Sequence, residues 1–339
     1  MKAAVLYGKE DLRYEDYQNP EITDGTVIVK IHFAGICGSD LTRVLEGNNR
    51  VFPIVLGHEF SGEIVEVGNY VDDLKVGDRV SGVPLLPCMV CSDCQKGDFS
   101  LCKHYSFIGS RIQGGFAEYV RLPAVNVVRF DPEVSYEQGA FFEPSAVALN
   151  GLKQNDYKGG GDVAVLGGGT IGIFMAQWAR IYGAKSVTVF DISPERLNLC
   201  KKFGIDNVVN PLDDVVEKNR YNYVFETAGV TDTMRLAFEI AANRAHVCFV
   251  GTPTKELSFS PELFENMNRK QLKLTGSWMS YSAPFPGEEW TLTAHFFKTG
   301  QLLFNEELIF KRFHMSEAPK AFEMFKTPGA VKGKVLLYN

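Results

Sequence analysis

Asp162-Val-Ala-Val-Leu-Gly-Gly-Gly-Thr-Ile-Gly172 runs straight into Ile-Phe-Met-Ala-Gln-Trp-Ala-Arg-Ile-Tyr182. A short apolar run, a glycine-rich turn and a helical spacing thus follow one another without a break. The turn fits G-x-G-x-x-G, and its setting between a strand and a helix separates it from glycine triplets in ordinary turns. Gly167 allows the tight turn, Gly169 lets a pyrophosphate approach the backbone, and Gly172 lets the helix pack on the strand. Thr170 and Ile171 open the helix, whose free N–H groups suit phosphate oxygens. The next strand, Ser186-Val-Thr-Val-Phe190, ends at Asp191, about 20 residues on, where an acid accepts the ribose hydroxyls. A carboxylate there repels a 2′-phosphate, which favours NAD over NADP. Arg196 has three readings: a host for that phosphate, a solvated helix residue, or a plane stacked on the adenine. Strand and helix signals keep alternating through Val224-Phe-Glu226 and Ala245-His-Val-Cys-Phe-Val250, which predicts a parallel, doubly wound sheet.

Outward from this stretch the pattern changes. From the start to about residue 147, short strand signals dominate, among them Thr26-Val-Ile-Val-Lys-Ile-His-Phe33, Gly62-Glu-Ile-Val-Glu-Val67 and Gly115-Phe-Ala-Glu-Tyr-Val120. They predict a barrel-like all-β domain. His32 belongs to one of these strands and reads as a packed or surface histidine. After about Pro284, helix patterns around Glu289 to Lys298 and Pro319 to Lys326 lead to a last strand, Lys334-Val-Leu-Leu337. The expected architecture is α/β, with a catalytic domain over 1–147, a nucleotide domain inserted over 148–283, and a return to the first domain over 284–339.

Within the first domain, Cys88, Cys91, Cys94 and Cys102 are spaced x2, x2 and x7. Four thiolates at such spacing close a tetrahedral shell around zinc and leave no open position, so the lobe near 88–102 reads as a structural zinc site. Lys96, Lys103 and His104 are too few to form a phosphate footprint, which sets aside a nucleic-acid-binding ribbon. Seven cysteines, four of them metal-spaced, suit a reducing compartment better than a disulfide framework. Cys200 and Cys248 lie in apolar contexts and read as inert core thiols.

The 339 residues can build two full cores, and 45% hydrophobic with 22% charged residues is a globular composition. A formal net charge of −6 argues against a nucleic-acid surface. The N-terminal stretch reads as a strand rather than a signal peptide, and no apolar run reaches the roughly 20 residues of a membrane span. A soluble, cytoplasmic protein is expected.

Cys37, His58 and Glu143 offer a thiolate, an imidazole and a carboxylate, a ligand set with one position open for substrate. They lie far apart in sequence, and spacing does not join them. Gly57-His58-Glu59-x2-Gly62-x5-Gly68-x2-Val71 resembles the zinc signature of the medium-chain alcohol and polyol dehydrogenases. Cys37-Gly-Ser-Asp40, the four-cysteine lobe and Glu143-Pro144 follow in that family's order, and the resemblance covers essentially the whole chain. It implies a GroES-like first domain, an inserted Rossmann domain and a homo-oligomer, either dimer or tetramer. It also implies one structural and one catalytic zinc per chain, with NAD as hydride acceptor. Cys37, His58 and Glu143 resemble the protein ligands of the catalytic zinc. Glu59 either ligates when substrate is absent or sits behind the metal, and Asp40 orients His58. Ser39 takes the proton of the substrate hydroxyl. Many relatives end their proton relay at a histidine where this chain has Thr42.

Three stretches resemble the polyol-phosphate branch of that family: Val83-Pro-Leu-Leu-Pro-Cys88, Phe107-Ile-Gly-Ser-Arg111 with Gly114-Gly-Phe-Ala-Glu-Tyr119, and the segment from Gly276 to Trp290. They imply oxidation of galactitol 1-phosphate at C5 to tagatose 6-phosphate. Sorbitol, xylitol or threonine, all unphosphorylated, are the alternative substrates. Arg43 and Arg111 are the phosphate candidates because arginine suits that geometry. Trp278 and Tyr281 are candidates for shaping the pocket.

Overall fold

A computed structural model describes residues 1–205, 207–327 and 329–339. The chain divides into two compact units: Met1–Glu143 with Tyr281–Gly300 and Ile309–Asn339, and Pro144–Ser280 with Gln301–Leu308. The boundaries fall a few residues before those expected at 147 and 283, the first of them inside the helix Phe142–Gln154. Residues 301–308, expected in the return to the first domain, pack with the second unit. Leu303 N–H donates to Gln177 Oε1 at 2.7 Å, and Lys202 pairs with Glu307. No sequence periodicity marks such a return.

In the first unit the strand Thr26–Gly35 is the hub. It pairs antiparallel with Glu59–Val67, Tyr119–Pro123 and Lys334–Tyr338. Val27, Val29 and Ile31 are fully buried while Lys30 points to solvent, the alternation of a strand with one face on a core. Arg79–Gly82 and Val127–Arg129 extend the sheet beyond Glu59–Val67, and Ile309–His314 flanks Lys334–Tyr338. A smaller sheet of Lys2–Gly8, Asp11–Asp16 and Ile54–Val55 closes over the same core, which includes Leu6, Val29, Phe60, Phe116 and Phe322.

The second unit contains six parallel strands: β1 (Asp162–Leu166), β2 (Ser186–Phe190), β3 (Asn207–Val209), β4 (Tyr221–Glu226), β5 (Ala241–Phe249) and β6 (Lys273–Gly276). Their spatial order is β3-β2-β1-β4-β5-β6, all parallel. The order reverses between β1 and β4, so the crevice for a dinucleotide opens at the end of β1, where the glycine turn lies. The helix Thr170–Ile181 begins at that turn, and residues 172–179 are all buried. Trp178 sits fully inside and donates Nε1–H to Ser145 O and Oγ, both at 3.1 Å. Among the described residues no helix is long and apolar enough to cross a membrane.

Trp178→Ala removes a fully buried indole and its hydrogen bonds to Ser145, so it is expected to destabilise the protein by about 3–5 kcal/mol. Denaturant unfolding, compared with the wild type, measures the loss.

Candidate metal and nucleotide sites

The hub strand delivers the first ligand. Beyond Gly35, Ile36 N–H donates to Val335 O at 3.0 Å, and Cys37 then caps the helix Gly38–Glu46. Asp40, in the first turn, accepts the Cys37 N–H on Oδ2 at 3.0 Å. An acid at this position closes a cap and complements the helix dipole, so the Cys-Gly-Ser-Asp step fixes the cysteine by local geometry. His58 follows Gly57, which has φ +93°, and a Cβ there would meet the Phe116 ring at 2.5 Å. Only glycine lets the chain turn His58 inward at this point. Glu59 starts the neighbouring strand in register with Gly35, whose missing side chain leaves room for the carboxylate.

These two strand ends bring Cys37 Sγ, a His58 ring nitrogen and a Glu59 carboxylate oxygen within 4.8 Å of one another. His58 Nδ1 lies 3.4 Å from Asp40 Oδ1, an ionic approach without hydrogen-bond alignment. The mutually close set is therefore Cys37, His58 and Glu59, whereas the sequence suggested Cys37, His58 and Glu143. Glu143 stands in the first turn of the helix Phe142–Gln154, outside that set, yet within electrostatic reach of Glu59 and His58.

Lys334, which no sequence pattern singled out, explains where Glu59 points. Its Nζ is 2.5 Å from Glu59 Oε2 and also donates to Ile36 O at 3.3 Å, with both side chains buried. A lone lysine before an apolar strand reads as a surface residue, and only its partner across 275 residues of sequence gives it meaning.

Burial and like charge govern the titration of this cluster. Burial and the Glu59 charge push Glu143 up to about 7. Burial pulls His58 down, but Asp40 and Cys37 overcome it and leave the imidazole well above its ordinary value. Burial opposes the charge of Asp40 too, yet His58, Arg43 and the Cys37 N–H hold its carboxyl below the usual range. A thiol, an imidazole and buried carboxyls, with protons held on His58 and Glu143, form a donor set that suits a zinc ion with an open position.

Around this set, Ser39 and Thr42 diverge. Thr42 Oγ1 donates to the Ser39 carbonyl at 3.1 Å, so it does not continue a relay from the Ser39 hydroxyl. Arg43 Nη1 instead donates to Ser39 Oγ at 2.8 Å and to Asp40 Oδ1 at 3.2 Å. Arg111 lies on the loop after Phe107, whose ring meets His58 edge-on at 5.7 Å. Its guanidinium stacks 3.8 Å from the Tyr105 ring centroid and donates to Tyr105 O. Tyr281 is buried and stacked between Phe285 and Trp290, with centroids at 5.9 and 6.2 Å. Trp278 belongs to the second unit and is 56% exposed. Neither aromatic joins the Cys37 cluster.

Cys88, Cys91, Cys94 and Cys102 also lie within 4.8 Å of one another. The Cys88–Cys94 and Cys91–Cys102 sulfurs are 4.0 and 3.9 Å apart, and every cysteine is free. Zinc–sulfur bonds of about 2.3 Å in a tetrahedron place sulfurs about 3.8 Å apart, so the lobe fits zinc and excludes disulfides. Cys200 and Cys248 are buried, and burial pushes both thiols up to about 12, consistent with inert packing.

In the second unit, a Cβ on Gly172 would run into the carbonyl oxygen of Gly167, so the helix approaches the turn as only glycine permits. Asp191 closes β2; its Oδ2 accepts Gly168 N–H and its Oδ1 accepts Ser193 N–H, both at 2.8 Å. Arg196 Nη1 lies 3.6 Å from Asp191 Oδ2 with its side chain 37% exposed, which makes it a neighbour of the acid rather than a remote surface residue. Glu226, at the end of β4, was not anticipated. Buried, it gathers the N–H groups of Ala228 and Gly229 and the Thr233 hydroxyl on Oε1, and so shapes the turn beside the crevice.

Residues 23–132 match the alcohol dehydrogenase GroES-like domain family, and residues 170–296 match the zinc-binding dehydrogenase family. The chain is 43% identical to galactitol 1-phosphate 5-dehydrogenase of Escherichia coli K12, with 99% of each chain aligned. A crystal structure of galactitol-1-phosphate dehydrogenase from Escherichia coli matches with a TM-score of 0.94 and 40% identity, covering 100% of both chains. A zinc-binding dehydrogenase from Sinorhizobium meliloti 1021, solved with NADP, matches with a TM-score of 0.90 and 28% identity over 100% of this chain and 99% of that one.

Zinc binding needs His58 neutral and Cys37 as thiolate, and a dication nearby would favour the ionised form of Glu143, whose carboxyl stands at about 7. Uptake by the metal-free protein is expected to tighten as pH rises from about 6 to about 8, with proton release. Calorimetry in buffers of different ionisation heat measures both. Lys334→Met leaves Glu59 buried without its cation, and in the metal-free protein a loss of about 3–5 kcal/mol is expected. The loss should shrink once zinc supplies the countercharge, which unfolding with and without the metal will show.

Proposed function

The chain belongs to the zinc-binding dehydrogenases with a GroES-like domain, and from that premise we propose that it oxidises galactitol 1-phosphate at C5 to tagatose 6-phosphate with NAD. The observation that carries the reading is the 43% identity across 99% of both chains with an enzyme of that activity. Ser39, the second residue of the helix that Cys37 caps, and the converged Cys37, His58 and Glu59 supply matching chemistry.

Cys37, His58 and Glu59 would hold the catalytic zinc, with Glu143 close by, and Cys88, Cys91, Cys94 and Cys102 the structural one. When bound, the catalytic zinc supplies Lewis acidity at the substrate hydroxyl oxygen. Asp40 keeps His58 oriented through Nδ1. Lys334 holds one oxygen of Glu59 and leaves the other for the metal side. Ser39 Oγ accepts the hydroxyl proton as its own hydrogen passes to water. NAD, when bound, would supply the hydride acceptor, so that alcohol and NAD would become ketone, NADH and a proton.

Gly167, Gly169, Thr170, Ile171 and Gly172 form the pyrophosphate turn, and Asp191 takes the adenosine ribose. Asp191 supports NAD. Arg196 beside it, and a relative solved with NADP, make the preference one of degree. The substrate phosphate requires a cation outside the metal shell, for which Arg111 has the fitting chemistry. We place the enzyme in the cytoplasm as a homo-oligomer.

NADH formation from galactitol 1-phosphate, set beside galactitol, sorbitol, xylitol and threonine, tests the reading. The expected result is a kcat/KM at least about 100-fold higher for the phosphorylated polyol than for galactitol. Equal or better turnover of an unphosphorylated substrate would replace the substrate and keep the chemistry.

A further inference from the structure

The four residues after Ser39 carry a feature that neither the metal set nor the nucleotide turn uses. Arg43 lies four residues beyond Ser39 and three beyond Asp40, on the same face of the helix Gly38–Glu46. Its Nη1 donates to both, at 2.8 Å to Ser39 Oγ and 3.2 Å to Asp40 Oδ1. The Arg43 side chain is 18% exposed, and Asp40 is wholly buried. Asp40 already receives the Cys37 N–H on its other oxygen and faces His58 Nδ1. Arg43 therefore touches, through one nitrogen, the proton acceptor and the carboxylate that orients a ligand.

A serine hydroxyl has one hydrogen and two acceptor positions. Arg43 occupies one acceptor position with a donor that has no lone pair and does not release its proton. The Ser39 hydrogen then has no partner on the arginine side and must point away from it. One acceptor position remains for the hydroxyl of a substrate. We propose that Arg43 is a positioning residue for the oxidation. It fixes the orientation of the Ser39 hydroxyl toward the reacting oxygen, and its charge favours negative charge gathering on that side.

In this arrangement Arg43 carries no proton. The substrate proton moves to the open lone pair of Ser39 as the serine hydrogen leaves to water, and the guanidinium only holds the oxygen between them. Thr42, at the position where relatives have the end of a relay, faces the helix backbone and takes no part. The inference rests on the reading of Ser39 as proton acceptor in an alcohol dehydrogenase.

The test compares Arg43→Ala and Arg43→Lys with the wild type, all loaded with zinc. For Arg43→Ala we expect kcat to fall about 100-fold on every alcohol the wild type oxidises, phosphorylated or not. KM should stay nearly constant, the solvent deuterium isotope effect on kcat should rise, and added guanidinium should restore part of the rate. Zinc content and its retention against a chelator should match the wild type. Loss confined to KM for phosphorylated substrates would make Arg43 a phosphate ligand instead. Loss of zinc together with activity would make it a scaffold for Asp40. Either result overturns the proposal, as does an unchanged kcat.

A second readout needs no substrate. In the zinc-loaded, substrate-free protein, the guanidinium NMR signals of Arg43, assigned through Arg43→Lys, should shift on Ser39→Ala. Signals that do not move would refute the contact on which the proposal stands. If no alcohol is oxidised by the wild type, the functional reading fails and the role of Arg43 falls with it, while this measurement still decides whether the Arg43–Ser39 contact exists.

Discussion

Charge buried beside the hub strand is the constraint on which the first unit depends. Asp40, His58, Glu59 and Lys334 are all nearly or wholly buried within one small volume. Taking such groups out of water costs several kcal/mol per ion unless each finds a partner. Lys334 answers Glu59, His58 and Arg43 answer Asp40, and the Cys37 N–H donates to the other oxygen of Asp40. What remains is a thiol and one edge each of an imidazole and a carboxylate, turned toward a common point. A dication there would complete the neutralisation. The proposed metal set is what these pairings leave over, and its geometry is inherited from the strands that brought the charges together.

The second unit works by a different rule. The proposed nucleotide site there is made of backbone: a turn whose glycines allow close approach, and the first turn of the helix Thr170–Ile181. Asp191, the proposed ribose acceptor, is held by Gly168 and Ser193 N–H groups. Holding the acid in advance lowers the ordering that binding must impose. Arg196, 3.6 Å away, moderates the field of that carboxylate. On the proposed reading, cofactor preference would depend on the balance between these two side chains.

The helix Gly38–Glu46 shows how a short local rule reaches into chemistry. A cysteine cap followed three residues later by an aspartate is ordinary helix initiation. Continued for one more turn, the same periodicity sets Arg43 over both Ser39 and Asp40. Cys37, Ser39, Asp40 and Arg43, the proposed ligand, proton acceptor, orienting acid and guanidinium, are then features of one helix and its cap, so their relative positions are as rigid as the helix itself.

The glycine turn, Asp191, the four-cysteine lobe and the strand-rich first unit were legible from residue types and spacing, because each is a local pattern whose geometry follows from a few adjacent residues. Cys37 and His58 were legible only through resemblance, since nothing in their separation of 21 residues draws them together. The pairing of Gly35 with Glu59 does so, and strand pairing is a long-range choice. Lys334 and Glu226 carried no sequence signal, since a charged residue next to an apolar strand reads the same whether it meets water or a buried partner. The preference for Glu59 over Glu143 in the close set belongs to the same class. By itself, the sequence determined which folds and which chemistries were available. Tertiary structure alone decided which charges meet, because desolvation and pairing act between residues that the chain keeps far apart until it folds.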